Sequence, residues 1–287
     1  LGEKLGLKAD SFFIGNGSNE VIEQLINVFG VGGEVVYPEP SFAVYPIAVK
    51  AHGAKGVSVP LKDGFKIDLE AIAKSITTDT RLVFIANPNN PTGTMVGAKE
   101  FDAFMEQVPD SVIVCMDEAY AEYVTSDDYP DTLKYVKEGR RIIGLRTFSK
   151  IYGLAGLRVG YGFAPAEIIG YLERVRQPFN VNSLALAAAL GAIDDDEHVH
   201  MSREVNAAGL EYLYSELDRL KVEYVPTQAN FFLIKVGDGK GVYGGLLKLG
   251  VIVRPMASYG LGEYIRVTVG LVEENERFIE ALAVVLG

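Results

Sequence analysis

The chain lacks several features that would each indicate a particular class of protein. It has one cysteine, Cys115, among 287 residues. It therefore forms no intrachain disulfide and no CxxC metal site, and a reducing compartment suits it best. No uninterrupted apolar stretch approaches the roughly 20 residues that a membrane-spanning helix needs. Tandem repeats and low-complexity tracts are also absent, which excludes solenoids and long flexible linkers.

Positive charge is scarce as well. The 27 Lys and Arg residues are outnumbered by 38 Asp and Glu residues, so the formal net charge is -11 at pH 7. Such a surface repels nucleic-acid backbones and anionic lipid headgroups, so we expect neither nucleic acid nor a membrane as partner. Any anion that binds must be held by a local pocket.

The residues present form a globular α/β pattern. Hydrophobic residues make up 48% of the chain and charged residues 23%, enough for one large core and a smaller domain. From about residue 12 to 193, short runs rich in Val and Ile alternate with helical patterns. These runs lack polar alternation, so we predict a mostly parallel sheet covered by helices on both faces. The predicted strands are Glu34–Tyr37, Gly56–Val59, Leu82–Ala86, Val112–Met116, Ile142–Arg146 and Val159–Phe163, and the helices are Ser18–Phe29, Leu69–Ser75, Ala98–Gln107 and Ala166–Arg176.

The pattern changes after about residue 195, where a smaller α+β unit is predicted. We therefore divide the chain into a large domain, residues 1–195, and a small C-terminal domain, residues 196–287. The small domain is predicted to contain helices at Val199–Leu220, Gly241–Leu249 and Glu274–Leu286, and strands at Asn230–Val236, Val251–Arg254 and Tyr264–Val269.

Ligands of doubly wound sheets bind outside the carboxyl ends of the strands, so polar residues there are candidates for chemistry. The string RTFSK, residues 146–150, places Lys150 behind a buried strand. Burial would lower the pKa of its amine and suit it to bond with an aldehyde, although a solvated loop lysine is the simpler alternative. Thr147 and Ser149 could share one phosphate. Arg158 could turn back to that phosphate through a glycine-rich segment, or lie on the surface.

Two further strand ends carry groups suited to a heterocycle. Asp117 follows an apolar run and needs a cationic or proton-donating partner, such as the ring nitrogen of pyridoxal phosphate. A helix N-cap or a magnesium ligand are the alternatives. Tyr120 could place a phenol near the 3-oxygen of that ring. Asn90, held between prolines in a turn, could donate its amide to the same oxygen.

The remaining candidates come early in the chain. Gly17, Ser18 and Asn19 open a helix whose free N–H groups suit an anion, with Ser18 as the expected N-cap. Phe42 could stack on a flat heterocycle, or belong to the core. Together these groups match the aldehyde, ring nitrogen, 3-oxygen and phosphate of pyridoxal 5'-phosphate, and we predict this cofactor and no metal.

These residues resemble those of the fold type I pyridoxal-phosphate aminotransferases, and within them the histidinol-phosphate aminotransferase branch. The strings that carry the resemblance run from Ile14 to Gly270: GNGSNE, PSFAVY, NPNNPTG, DEAY, RTFSKIYGLAGLRVGY, PFNVN and VIVRP…YIRVTVG. NPNNPTG and the Ser-Lys string with an arginine eight residues on are specific, whereas GNGS is not.

The resemblance implies a role for each matching position. Lys150 corresponds to the Schiff-base lysine, Asp117 to the partner of the ring nitrogen, and Asn90 and Tyr120 to the groups on the 3-oxygen. Phe42 corresponds to the stacking ring, and Arg266 and Arg254 to the arginines that bind the acidic group and the phosphate of the substrate. The implied phosphate site consists of Gly17, Ser18, Asn19, Thr147, Ser149 and Arg158.

The resemblance also predicts a cytoplasmic homodimer that transfers an amino group between histidinol phosphate and 2-oxoglutarate in histidine biosynthesis. An aromatic amino-acid aminotransferase and a threonine-phosphate decarboxylase of the same fold are alternatives, because Arg266 could bind a carboxylate as well. A nicotinamide-dependent dehydrogenase is disfavoured by the absence of GxGxxG after any strand. A non-catalytic aminotransferase-like sensor is disfavoured by the presence of Lys150.

The chain begins at LGEKLGLKAD, without the N-terminal segment of this family. That segment carries an Asn-Glu-Asn-Pro string and a tyrosine that reaches the cofactor phosphate of the partner subunit. Because it helps to close the active site, we expect its absence to reduce activity.

Overall fold

Seven strands form the large sheet, in a computed structural model that describes all 287 residues. Their order across the sheet is β1-β7-β6-β5-β4-β2-β3. All neighbouring strands from β3 to β6 are parallel, and β7 is antiparallel to both β6 and β1. The strands are β1 (Phe12–Gly15), β2 (Glu34–Glu39), β3 (Lys55–Pro60), β4 (Thr80–Ala86), β5 (Ile113–Asp117), β6 (Ile142–Thr147) and β7 (Gly160–Phe163).

Both faces of this sheet are covered, as the strand composition predicts. In β5, Val114 and Met116 join a core on one face, while Ile113 and Cys115 join a core on the other. Successive side chains of a strand point to opposite faces of the sheet, so the residues of β5 enter the two cores in turn. Both faces therefore need apolar residues, which explains why the strand shows no polar alternation. The helices on the first face are α4 (Leu69–Ser75), α5 (Ala98–Gln107), α6 (Thr132–Lys137) and α8 (Ser183–Ala192); those on the second are α2 (Gly17–Leu25), α3 (Val44–Ala51) and α7 (Ala166–Val175).

A second, antiparallel sheet has the order β10-β11-β9-β8 and its own apolar core. Its strands are β8 (Tyr224–Val225), β9 (Phe231–Lys235), β10 (Arg254–Pro255) and β11 (Tyr264–Thr268). The helices against it are α9 (Asp196–Leu220), α10 (Gly239–Lys248) and α11 (Val272–Leu286), and the short helix α1 (Gly2–Leu5) lies at the other end of the chain. The mixed sheet covered by helices and the small α+β unit confirm the predicted fold class; the division at 195/196 stays a prediction.

Several predicted boundaries were wrong. The strand expected at Val251–Arg254 is only Arg254–Pro255, because these two residues alone pair with β11. The helix expected from Ser18 to Phe29 begins at Gly17, and its last residues, Ile26–Gly30, form a π-helical turn. Ser18 is therefore not the N-cap, a position that Asn16 takes. Helix α8 was not predicted, since its apolar residues lack the one-sided period that identifies a surface helix.

The topology brings the carboxyl ends of six strands to one edge of the large sheet. The parallel strands β2, β3, β4, β5 and β6 end there. Strand β1 ends there too, because it is antiparallel to β7, which is itself antiparallel to β6. No helix of the protein is long and apolar enough to cross a membrane.

Candidate active site

A cleft opens at this edge of the sheet. Ten of the eleven residues predicted to bind the cofactor line it, and the eleventh, Gly17, lies directly behind it. These ten come from five separate segments of the chain, so the topology alone brings them together. They are Ser18, Asn19, Phe42, Asn90, Asp117, Tyr120, Thr147, Ser149, Lys150 and Arg158.

Asp117 is the last residue of β5 and the only acidic group in the cleft wall. It is 5% exposed, and burial raises the pKa of its carboxyl group. Hydrogen bonds from the Tyr45 hydroxyl to Oδ2 (2.8 Å) and from the Ala119 N–H to Oδ1 (3.2 Å) oppose that rise, as does the charge of Lys150. Both oxygens thus have one donor, and the carboxylate keeps lone pairs for a cationic ligand group.

Lys150 lies in the turn after β6, where its Nζ atom is 5.0 Å from the centre of the Tyr120 ring. Of the two alternatives left open for this residue, the structure has the solvated loop lysine, because the side chain is exposed and lines the cleft. Tyr120 is itself buried and packs edge-on against Phe231 of the small domain, with ring centres 4.9 Å apart. The amine is therefore available to a ligand in the cleft.

The other end of the cleft is an anion cradle. Arg158 Nη1 donates to Ser149 Oγ (3.2 Å) and to the Ala155 carbonyl (3.0 Å), and the Ser149 N–H donates to Thr147 Oγ1 (3.1 Å). Arg158 has φ 60°, a left-handed conformation that is unusual for a residue with a side chain and is characteristic of functional sites. A methyl group on Gly17 (φ 72°) would lie 2.4 Å from Arg158 Nη2, so only glycine allows this approach.

The first turn of α2 adds N–H groups to this cradle. Helices leave their first N–H groups without partners in the helix, and their dipole favours an anion there. The Glu20 carboxylate already accepts from the Asn16 N–H (2.6 Å), and Ser18 and Asn19 follow at the cleft wall. The segment therefore suits an anion even though Ser18 does not cap it.

Asn90 connects the cleft to the small domain. Arg266 Nη1 donates to Asn90 Oδ1 (2.5 Å), which leaves the amide Nδ2 of Asn90 free to donate to a ligand oxygen. The adjoining Asn89 accepts from the Ser41 hydroxyl (2.7 Å), so the turn that carries Asn90 is tied to the one that carries Phe42.

Arg254 and Arg266 lie directly opposite each other on β10 and β11. Like charges in this arrangement repel, and no carboxylate pairs with either residue. Burial lowers the pKa of the Arg266 guanidinium, the charge of Arg254 adds to this effect, and the Nε atom of Arg266 is buried without a hydrogen-bond partner. An anion held between the two side chains would offset the repulsion between the charges, favour the charged form of Arg266 and accept a hydrogen bond from its Nε atom.

The sequence reasoning missed four residues of this site. Ala86, Pro88 and Ala119 line the cleft, and Tyr45 supports Asp117 from behind. Tyr45 stands three residues after Phe42 in a string that was already singled out, but nothing local to that string indicates a contact with a residue 72 positions away.

The chain is similar to known proteins in sequence and in fold. The chain matches the family described as aminotransferase class I and II over residues 1–282. It is 50% identical to the histidinol-phosphate aminotransferase of Moorella thermoacetica, across 100% of this chain and 75% of that protein. It is 48% identical to histidinol-phosphate aminotransferase 1 of Nitrosococcus oceani, across 100% of this chain and 78% of that protein.

A solved structure has the same fold. The histidinol-phosphate aminotransferase of Sinorhizobium meliloti, in complex with pyridoxal 5'-phosphate, superposes with a TM-score of 0.92 at 26% identity. The match covers 99% of this chain and 79% of that one.

Proposed function

The chain belongs to the class I and II aminotransferases, and from this premise we propose that it is a pyridoxal-phosphate-dependent histidinol-phosphate aminotransferase. It transfers the amino group of histidinol phosphate to 2-oxoglutarate, giving imidazole-acetol phosphate and glutamate in histidine biosynthesis. Identities of 46–50% to relatives of that name, across nearly the whole chain, support this activity.

The cleft fits pyridoxal phosphate in charge and in shape. Asp117 provides the anion for a protonated ring nitrogen, and Phe42 a face for the ring. The amide of Asn90 and the hydroxyl of Tyr120 suit the ring oxygen. The cradle at the other end, whose glycine leaves room for the Arg158 guanidinium, suits the phosphate.

When bound, the cofactor supplies an aldehyde for the substrate amine and a ring that accepts the electron pair released at the substrate α-carbon. Lys150 would hold the cofactor through its Nζ atom, and the same atom, when free, would take the proton from the amine-bearing carbon of the substrate. Asp117 keeps a proton on the ring nitrogen, which makes the ring the stronger electron acceptor. Asn90 and Tyr120 orient the ring by donating to its oxygen.

The Arg254–Arg266 pair is the observation that carries the choice of substrate. The two arginines lie opposite each other in the strand register and neither pairs with a carboxylate, and Arg266 has a buried Nε atom that lacks a hydrogen-bond partner. A phosphate dianion matches two arginines better than a single carboxylate does. Histidinol phosphate offers such a dianion and has no carboxylate.

The test is a panel of half-reactions with the cofactor-loaded protein. We expect the absorbance of the cofactor to change fastest with L-histidinol phosphate, and more slowly with phenylalanine, aspartate and threonine phosphate. Borohydride treatment followed by peptide mapping should find the cofactor on Lys150, and Lys150→Ala should bind cofactor without turnover. An adduct on another lysine would refute the assignment of Lys150, and faster reaction with phenylalanine would refute the substrate.

We also propose that the protein is a homodimer. The segment around α8 exposes large apolar side chains: Phe179 is 96% exposed, Leu184 74% and Leu190 76%. Exposed apolar clusters of this kind mark protein–protein interfaces. A second copy of this chain is the expected partner, because most soluble oligomers are formed by identical chains. Sedimentation should give a dimer that Leu184→Asp with Leu190→Asp converts to monomer; a monomeric parent protein would contradict the proposal.

We place the enzyme in the cytoplasm. Its one cysteine, Cys115, is buried and unpaired, and burial raises the pKa of its thiol well above the usual value. A reducing compartment suits such a residue.

A further inference from the structure

Tyr45 connects two predicted cofactor contacts, although it does not line the cleft itself. Its side chain is completely buried, near the start of α3. The hydroxyl donates to Asp117 Oδ2 at 2.8 Å. The ring lies parallel to Phe84, with centres 4.8 Å apart, and edge-on to Phe42, with centres 5.7 Å apart. These contacts leave the hydroxyl little freedom to turn away from the carboxylate.

The direction of this hydrogen bond defines what Tyr45 can do. An ionised carboxylate only accepts hydrogen bonds, so the tyrosine must be the donor. Burial and the nearby charge of Asp117 raise the pKa of Tyr45 well above its usual value, so the hydroxyl keeps its proton. The bond therefore favours the ionised form of Asp117, against the burial that disfavours it.

The other donor to Asp117 is weaker. The Ala119 N–H reaches Oδ1 at 3.2 Å, a longer contact than the 2.8 Å of the tyrosine. Tyr45 is thus the main neutral group that stabilises a buried carboxylate whose remaining lone pairs face the cleft.

We propose that Tyr45 is a positioning residue that holds Asp117 as a fixed, ionised partner for the ring nitrogen of the cofactor. The same side chain supports Phe42 from behind, so one buried residue aligns the groups that contact the edge and the face of the ring. This inference rests on the proposed pyridoxal-phosphate function.

The test compares two ligands that differ at one atom. Pyridoxal phosphate has the ring nitrogen, and its deaza analogue has a C–H in that place. Titration of cofactor-free Tyr45→Phe should give a dissociation constant for pyridoxal phosphate that is raised about tenfold or more, the scale of a hydrogen bond to a charged group. The constant for the deaza analogue should stay unchanged, because this ligand makes no ionic contact with Asp117.

Tyr135→Phe is the matched control. Tyr135 is also buried and also donates to an aspartate, Asp102, but both lie outside the cleft. This variant should bind both ligands as the parent protein does. In an Asp117→Asn background, Tyr45→Phe should no longer affect binding of pyridoxal phosphate.

The outcomes separate the two proposals. If the parent protein fails to bind pyridoxal phosphate, the proposed function is wrong. If it binds, and Tyr45→Phe either weakens both ligands equally or weakens neither, the positioning role is wrong. Thermal unfolding of each variant shows whether a loss of binding merely follows from a loss of folding.

Discussion

Two arginines with similar surroundings differ in whether they have a carboxylate partner. Arg146 on β6 and Arg266 on β11 both lie over a phenylalanine ring, with the guanidinium carbon 5.3 Å from the centre of Phe163 and 4.7 Å from that of Phe231, respectively. Both are largely removed from solvent, and for both burial is the main effect that disfavours the charge.

Arg146 is paired. Its Nε atom donates to Glu118 Oε2 at 2.9 Å, and the Thr132 hydroxyl donates to the other oxygen of that carboxylate at 2.5 Å. Burial acts against the charge of Arg146, yet its pKa lies above the usual value because Glu118, Tyr161 and Glu122 together outweigh it. Glu118 follows Asp117 on the chain, so this pair joins β5 to β6 immediately behind the cleft.

Arg266 has no such partner, and its pKa is lowered. The difference shows how the two roles can be recognised in a structure. A buried charge that finds its counter-ion within the protein stabilises the fold, whereas one that lacks it indicates a site for a ligand. The predictions below test this distinction.

The largest effect is expected on the stability of the protein when the paired arginine, Arg146, is replaced. Arg146→Met should lower the free energy of unfolding by about 3–5 kcal/mol, because it leaves the carboxylate of Glu118 buried and uncompensated. The double variant Arg146→Met with Glu118→Leu should recover most of this loss. Arg266→Met is the matched control and should change stability by about 1 kcal/mol or less. Denaturant unfolding measures all three, and equal losses for Arg146→Met and Arg266→Met would contradict the comparison.

The unpaired arginine should instead affect catalysis. Arg266→Ala and Arg254→Ala should each reduce kcat/KM for histidinol phosphate. The reduction should correspond to a loss of about 2–5 kcal/mol of transition-state stabilisation, because each change leaves part of a desolvated dianion unpaired. With phenylalanine as substrate, Arg266→Ala should remain damaging and Arg254→Ala should have a much smaller effect. Steady-state kinetics with both substrates measures this. Equal activity on the two substrates, with Arg254 dispensable for both, would overturn the two-arginine interpretation.

The smallest effect concerns Glu122, a second carboxyl group near Arg146. Burial raises its pKa from 4.5 to about 7, with Glu118 adding to the shift and Arg146 opposing it. Between these two pH values the folded protein holds a proton that the unfolded chain has released, so stability falls as pH rises through this range. The loss should be on the order of 1–3 kcal/mol. Glu122→Gln should flatten this part of a stability–pH profile, and an unchanged slope would show that another group causes it.

Much of the candidate site was predictable from the sequence. Asp117, Thr147 and Asn90 all follow apolar runs, and the rule that ligands bind at the carboxyl ends of parallel strands places them together. The structure brings them into one cleft with the other predicted residues, while their individual roles stay predictions. The exposure of Lys150 was not predictable in the same way, because this residue lies in a turn whose accessibility depends on the surrounding loops.

The sequence by itself determined the succession of strands and helices and the polar residues that follow each strand, because both depend on local patterns of apolar and polar residues. Only the tertiary structure decided which of those residues meet. The bond from Tyr45 to Asp117 joins residues 72 positions apart, and that from Arg266 to Asn90 joins residues 176 apart. The tertiary structure also decided that Arg146 is paired and Arg266 is not. Whether a counter-ion lies within reach depends on strand order and register across the sheets, which no local pattern specifies.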